Sequence, residues 1–395
     1  MENTIQILTA EAVELLKEMI AIPSPSFHEE EVCSHICKWM NSKGIDHERM
    51  GNNIIAERIS DPARPTLMLC AHIDTVEPCE GYSFDPYQPQ NCPEGVIQGL
   101  GSNDDGASVV SMLAAYRYFS QFCEAYDFQN NPSHSFRAGP SPCGQGGSTI
   151  LEATYFAKPS PNLTLVLTCE EERSGKDGMT GLWGNRLNRI SHAIVGEPTG
   201  MRAAISERGL LVIDATAYGV SGHAARNEGK NALYIALEDI QKLRNHEFNK
   251  VSPIMGKVNL NVTQINAGSA HNVIPDKCTF VIDIRPTEQY TNEEILSELQ
   301  EICESELKPR NLANRSSATK DGSPLQKIAE QLGIETFSSA TTSDWMRITC
   351  DAIKMGPGES ERSHRKDEFV TVEEIEKGTR TYIEFINRYY EYTLE

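Results

Sequence analysis

Imidazoles and carboxylates recur in this chain beside turns or at the ends of apolar runs, where they could serve metal-assisted or acid–base chemistry. Residues 67–76 read Leu-Met-Leu-Cys-Ala-His-Ile-Asp-Thr-Val, an apolar run that closes on His72 and Asp74. Its Leu, Met and Cys content between Pro65 and Pro78 fits a buried central strand of an α/β sheet better than a helix. Alternation along a strand puts His72 and Asp74 on one face, roughly 6 to 7 Å apart. That spacing suits a metal ligand and a carboxylate that supports it. His-x-Asp alone recurs by chance in many chains, and four further stretches of the sequence give it weight. Gly99-Leu100-Gly101-Ser102-Asn103-Asp104-Asp105-Gly106, Cys169-Glu170-Glu171-Glu172, Val195-Gly196-Glu197-Pro198-Thr199 and Ser363-His364-Arg365-Lys366-Asp367-Glu368 each carry such groups.

The elements that position these residues alternate between strand and helix. Residues 9–20 have helical periodicity through Val13, Leu16 and Ile20, with Thr9 as N-cap. Ser26-Phe27-His28-Glu29 has capping-box spacing and opens a second helix through Val32, Ile36 and Met40, ended by Gly44. Strands are expected at 53–59, 66–72, 162–168 and 193–196, and a helix at 106–119 begins beside Asp104. Between 203 and 316 the character changes, with strands expected at 210–217, 257–265 and 277–285 and helices at 231–245 and 292–307. Residues 120–150 are rich in turn formers with little to bury and read as a surface insertion. Cys123, His134 and Cys143 within that segment match no zinc spacing.

At 395 residues the chain can form two domains, each with its own core. A formal net charge of −20 argues against nucleic acid and against an anionic membrane surface as partners. No apolar run reaches transmembrane length, and the first residues lack a basic region followed by an apolar one. Eleven cysteines without repeated spacing fit reduced thiols, so a cytoplasmic location is expected.

In order and spacing the five motifs resemble the metal-dependent hydrolase family of acetylornithine deacetylase, succinyl-diaminopimelate desuccinylase, carboxypeptidase G and aminoacylase, over essentially the whole chain. The resemblance implies a discontinuous α/β catalytic domain of the zinc-exopeptidase kind, a mixed sheet with helices on both faces, over residues 1–202 and 317–395. A smaller α+β dimerisation or lid domain would be inserted at 203–316. Two divalent ions are implied, zinc with cobalt or manganese as alternatives. His72 and Glu197 would bind one ion, Glu172 and His364 the other, and Asp104 would bridge them. Asp74 would hold the imidazole of His72, and Glu171 would be the general base. The Asp104–Asp105 peptide is expected to be cis.

His223 matches a lid histidine that reaches across a homodimer toward the developing oxyanion, although the proline usual after it is absent at Arg226 and Asn227. Asn272 and Arg285 match positions that bind a substrate carboxylate, and Asp344 lies in a segment expected to set side-chain specificity. The substrate implied is a small N-acyl amino acid, an N-acetylated or N-succinylated ornithine, citrulline or similar intermediate of arginine biosynthesis. A dipeptidase or carboxypeptidase, or a succinyl-diaminopimelate desuccinylase, on the same scaffold is the alternative enzyme. A member that has lost catalysis and only binds a ligand is the alternative of another class, and the retention of every expected donor together with Glu171 argues against it.

Overall fold

The computed structural model describes residues 2–89, 93–122, 161–226 and 228–394. Cys123, His134 and Cys143, and the expected insertion from 123 onward, lie outside these residues. The chain forms two compact units, one of Met1–Ala203, Gly322–Thr336 and Cys350–Glu395, the other of Ala204–Asp321 and Phe337–Thr349.

The first part of the chain forms α1 (Glu2–Ile20), α2 (Glu30–Ser42), β1 (Glu48–Met50), β2 (Asn53–Arg58), β3 (Thr66–His72), β4 (Val96–Gln98), α3 (Ala107–Arg117), β5 (Asn162–Thr168) and β6 (His192–Val195). The middle part forms β7 (Ala203–Glu207), β8 (Leu211–Tyr218), β9 (Gly222–His223), α4 (Ala232–Asn245), β10 (Asn259–Ala267), β11 (Val273–Ile274), β12 (Lys277–Arg285), α5 (Asn292–Ile302), β13 (Glu306–Pro309) and β14 (Ser317–Ala318). The last part forms α6 (Pro324–Gln331), β15 (Thr336–Ser339), β16 (Asp351–Lys354), β17 (Phe369–Thr371) and α7 (Val372–Tyr392).

In the first unit the strands lie in the order β1-β2-β5-β3-β6-β16. β3 runs parallel to both β5 and β6, and β6 parallel to β16, whereas β1 and β2 are antiparallel additions. Every residue of β3 and β5 is buried. A parallel strand covered on both faces needs apolar side chains on both, which is why these segments read as apolar runs rather than alternating ones. All of α3 is buried too, packed against α1, α7 and the sheet.

The second unit carries a four-stranded antiparallel sheet, β10-β12-β8-β13. Here alternation is plain: Leu211, Ile213, Ala215 and Ala217 of β8 join Phe280, Ile282 and Ile284 of β12 against Ile235 and Leu243 of α4 and Ile295 and Leu299 of α5.

Several boundaries differ from those the sequence suggests. α1 begins at Glu2, so Thr9 is a buried residue inside the helix and not its cap. α2 begins at Glu30, and neither Ser26 nor Glu29 caps it through its side chain. The helix expected to reach residue 307 stops at Ile302; its start is fixed by a capping box of Thr291 and Glu294, and Glu306 and Leu307 enter β13.

Candidate active site

The parallel register creates the site. His72 lies opposite Thr168 and Cys70 opposite Val195, so β3, β5 and β6 end at one edge of the sheet. His72 is the last residue of β3, Glu171 and Glu172 follow β5 in a single 3-10 turn, and Glu197 follows β6. Loops beyond the carboxyl ends of parallel strands are where an open α/β sheet has room to bind ligands. Gly196 is required in this approach, since a Cβ there would lie 2.6 Å from that of Ser108. Asp104 comes from the turn that enters α3, and its peptide bond to Asp105 is cis. His364 comes from the loop before β17.

These donors converge. His72 Nε2 is 3.1 Å from Asp104 Oδ1, and the other oxygen, Oδ2, is 3.7 Å from His364 Nε2. His364 Nε2 also meets Glu172, at 2.9 Å to Oε2. Donor atoms of His72, Asp104 and Glu172 lie within 4.8 Å of one another, as do those of His72, Glu171 and Glu197. Asp104 thus offers one oxygen to each imidazole, the disposition a bridging carboxylate needs. Glu171 shares one of these two donor groups with His72 and Glu197.

Burial is the largest influence on His72 and would push its imidazole down, but hydrogen bonds to Asp104 and Asp74 and the charges of Asp74 and Glu171 hold it well above its usual range. His364 is raised to about 9, chiefly by its hydrogen bond to Glu172. Burial pushes Glu197 well up, and the Asp104 charge adds to it; Glu172 is raised for the same two reasons, against the pull of His364. Nitrogen and oxygen donors crowded in a buried place, with carboxylates held back from ionising by desolvation and mutual repulsion, fit a divalent cation pair.

Protons and metal compete for the two imidazoles. An imidazole binds metal only when neutral, and in the metal-free protein the neighbouring carboxylates favour the proton on His72 and hold the one on His364 up to about 9. Metal uptake by His364 at pH 7 would therefore release a proton, and apparent affinity would rise with pH through about 9, where that imidazole is half deprotonated. Calorimetric titration in buffers of different ionisation enthalpy measures the release, and a value of zero contradicts this protonation.

Side chains around the donors hold them through main-chain groups, and most of these partners were not apparent from the sequence. Asp74, the residue expected to hold the His72 imidazole, is 1% exposed. Its main-chain carbonyl is the nearer acceptor for His72 Nδ1, at 3.0 Å against 3.4 Å for Oδ1. Its carboxylate accepts the N–H of Glu171 on Oδ1 at 3.0 Å and that of Glu172 on Oδ2 at 3.1 Å, with the Ser26 hydroxyl at 2.7 Å. Glu368, 2% exposed, accepts the N–H groups of Asn103 and Asp104 at 2.8 and 3.0 Å, and burial pushes its carboxyl up to about 8. Asn103 in turn exchanges two hydrogen bonds with the main chain of Glu359. Glu170 accepts the Asp177 N–H and closes its own turn. Glu368 stands four residues after His364 in the motif, the one sequence signal that pointed to it.

The remaining expected residues lie in the second unit. Pairing of β9 with β11 sets His223 opposite Val273, beside Asn272, whose carbonyl accepts the Ala224 N–H; both His223 and Asn272 are exposed. Arg285 is bound to its strand neighbour Asp283 through two hydrogen bonds of 2.8 and 3.1 Å, so the carboxylate its fork grips here is internal. Asp344 is buried at the start of a 3-10 turn capped by Ser343. Arg226 bonds back to the His223 carbonyl, and Asn227 falls outside the described residues.

A parallel-stranded unit with donors at its strand ends, and a second unit of helices on an antiparallel sheet, define the fold of the two-domain metallopeptidases. Residues 205–311 match the peptidase dimerisation domain and residues 53–137 match peptidase family M28. A succinyl-diaminopimelate desuccinylase of Wolbachia pipientis is 24% identical over 96% of this chain and 93% of its own. An acetylornithine deacetylase of Proteus mirabilis is 25% identical over 92% and 93%. The crystal structure of aminopeptidase PepT from Bacillus cereus superposes with a TM-score of 0.71 at 18% identity, covering 96% of this chain and 98% of that one. Over nearly its whole length the chain is thus similar to acetylornithine deacetylases and succinyl-diaminopimelate desuccinylases, hydrolases of amide bonds.

Proposed function

We propose that this protein is a two-metal amidohydrolase that removes an acetyl or succinyl group from an amino acid, an N-acylornithine or N-acylcitrulline of arginine biosynthesis, in the cytoplasm. The observation that carries the reading is Asp104, with one oxygen toward His72 and the other toward His364. His72 and Glu197 would hold one ion, Glu172 and His364 the other, and zinc suits this nitrogen and oxygen set. Bound, the pair would acidify a water and polarise the amide carbonyl. Glu171 takes the proton from the attacking water and hands it to the leaving amine nitrogen. Asp74 keeps Glu171 and Glu172 in place through their N–H groups. Dialysis against a chelator abolishes turnover, and zinc, cobalt or manganese restores it on one of a panel of N-acyl amino acids. Restoration on dipeptides alone would make the protein a peptidase.

The match to the dimerisation domain and the exposure of His223 support a homodimer in which His223 of one copy stabilises the oxyanion in the site of the other. Mixed under subunit exchange, inactive His223→Ala and Glu171→Ala proteins regain part of the activity, because one site in each mixed dimer keeps both residues. No recovery despite demonstrated exchange rejects the shared site.

A further inference from the structure

The residues taken as a helix cap, Ser26 to Glu29, are bound to the turn that carries the base. Glu29 is fully buried. Among the described residues its carboxylate accepts only from neutral donors: Phe27 N–H at 2.7 Å and Glu170 N–H at 3.2 Å on Oε1, and Asn52 Nδ2 at 3.1 Å on Oε2. Arg49 fixes the Asn52 amide by donating to its oxygen at 3.1 Å. Glu29 stands at the N-cap position of α2, where the helix start favours negative charge.

On the other side of this contact, three consecutive N–H groups are held by two buried carboxylates. Glu170 donates to Glu29, and Glu171 and Glu172 donate to the two oxygens of Asp74. Ser26 bonds the same Asp74, so one short loop steadies both carboxylates. Glu170 has a φ of 60°, a left-handed conformation that a non-glycine residue keeps only where its surroundings impose it. Glu171 and Glu172 are neighbours with different tasks, and the rotation of the turn at Glu170 decides which of them points where.

We propose that Glu29 is a positioning residue that fixes the turn at Glu170 so that Glu171, and not Glu172, faces the reacting water. The proposal rests on Glu171 being the base, and the experiment separates the two. Glu29→Ala, Glu29→Asp and Glu29→Gln are made alone and in the Glu171→Ala background, and kcat, KM, zinc stoichiometry and Tm are measured.

Glu29→Ala lowers kcat on the order of 10- to 100-fold, the scale of a displaced catalytic group, with KM within about twofold. Glu29→Asp keeps the charge but withdraws the oxygens from Glu170, so it falls to the same level and serves if the alanine variant does not fold. Glu29→Gln keeps an oxygen for the Glu170 N–H and stays within about threefold of the native kcat. In the Glu171→Ala background none of the three lowers kcat further, since the residue they position is gone. Two zinc ions bind throughout.

Losses that multiply with Glu171→Ala, a Gln variant as poor as Ala, or a change in KM alone overturn the proposal. Retained turnover in Glu171→Ala alone overturns the assignment of the base instead.

Discussion

Replacing Glu171 with Gln or Ala lowers turnover on the order of 10²- to 10⁴-fold while the protein still binds its metals, the range expected when a positioned acid–base group is lost. Glu171 lies within 4.8 Å of donor atoms of His72 and Glu197, yet its turn also presents Glu172, which His364 already engages. The proposed mechanism needs one of the two free of metal to act as the base. Steady-state kinetics with metal analysis on the same samples decides between them. If Glu171→Ala loses metal with its activity, the two glutamates exchange roles. If it keeps activity, neither the assignment nor the mechanism built on it holds.

The parts of the site that were legible in the sequence are those fixed by a strand end. A buried parallel strand must be apolar on both faces, so it announces itself, and the first polar residue after it is placed by the sheet rather than by a loop. His72, Glu171, Glu172 and Glu197 stand at or just after such runs, and their expected roles came from the resemblance of the motifs. Asp104 and His364 sit in loops with no apolar run to announce them, and only the resemblance pointed to them. The supporting network was not legible, because its partners are remote: Asp74 holds residues 97 and 98 positions away, Glu29 one 141 away and Glu368 one 265 away. No periodicity reports such a contact. Ser26 and Glu29 even carry a local pattern with another meaning, and tertiary partners for both side chains prevailed over capping. In the second unit the alternation of β8 and β12 was readable because one face of each is buried.

Asp74→Asn is the second substitution expected to have a large effect, and it is a severe test because it changes so little volume. The native carboxylate takes the Glu171 and Glu172 N–H groups on separate oxygens and the Ser26 hydroxyl besides. An amide has one oxygen and presents two N–H donors in place of the other. One main-chain N–H of the catalytic turn is therefore left facing a donor in a buried place, at a cost of about 1–3 kcal/mol. The same change removes the negative charge beside His72 Nδ1, which supports that imidazole.

Loss of such a partner behind a ligand typically weakens metal binding by about 10- to 100-fold. Asp74→Asn should show that loss in a competitive zinc titration and a lower Tm in the metal-free protein. At saturating zinc its kcat should remain depressed, because occupancy returns but Glu171 has lost its anchor. Ser26→Ala removes only one of the three donors and leaves both main-chain N–H groups satisfied, so its effect on kcat should be small. An Asp74→Asn protein with native zinc affinity and native kcat would mean that the carboxylate neither supports His72 nor positions the turn, and the arrangement at the end of β5 would need another origin.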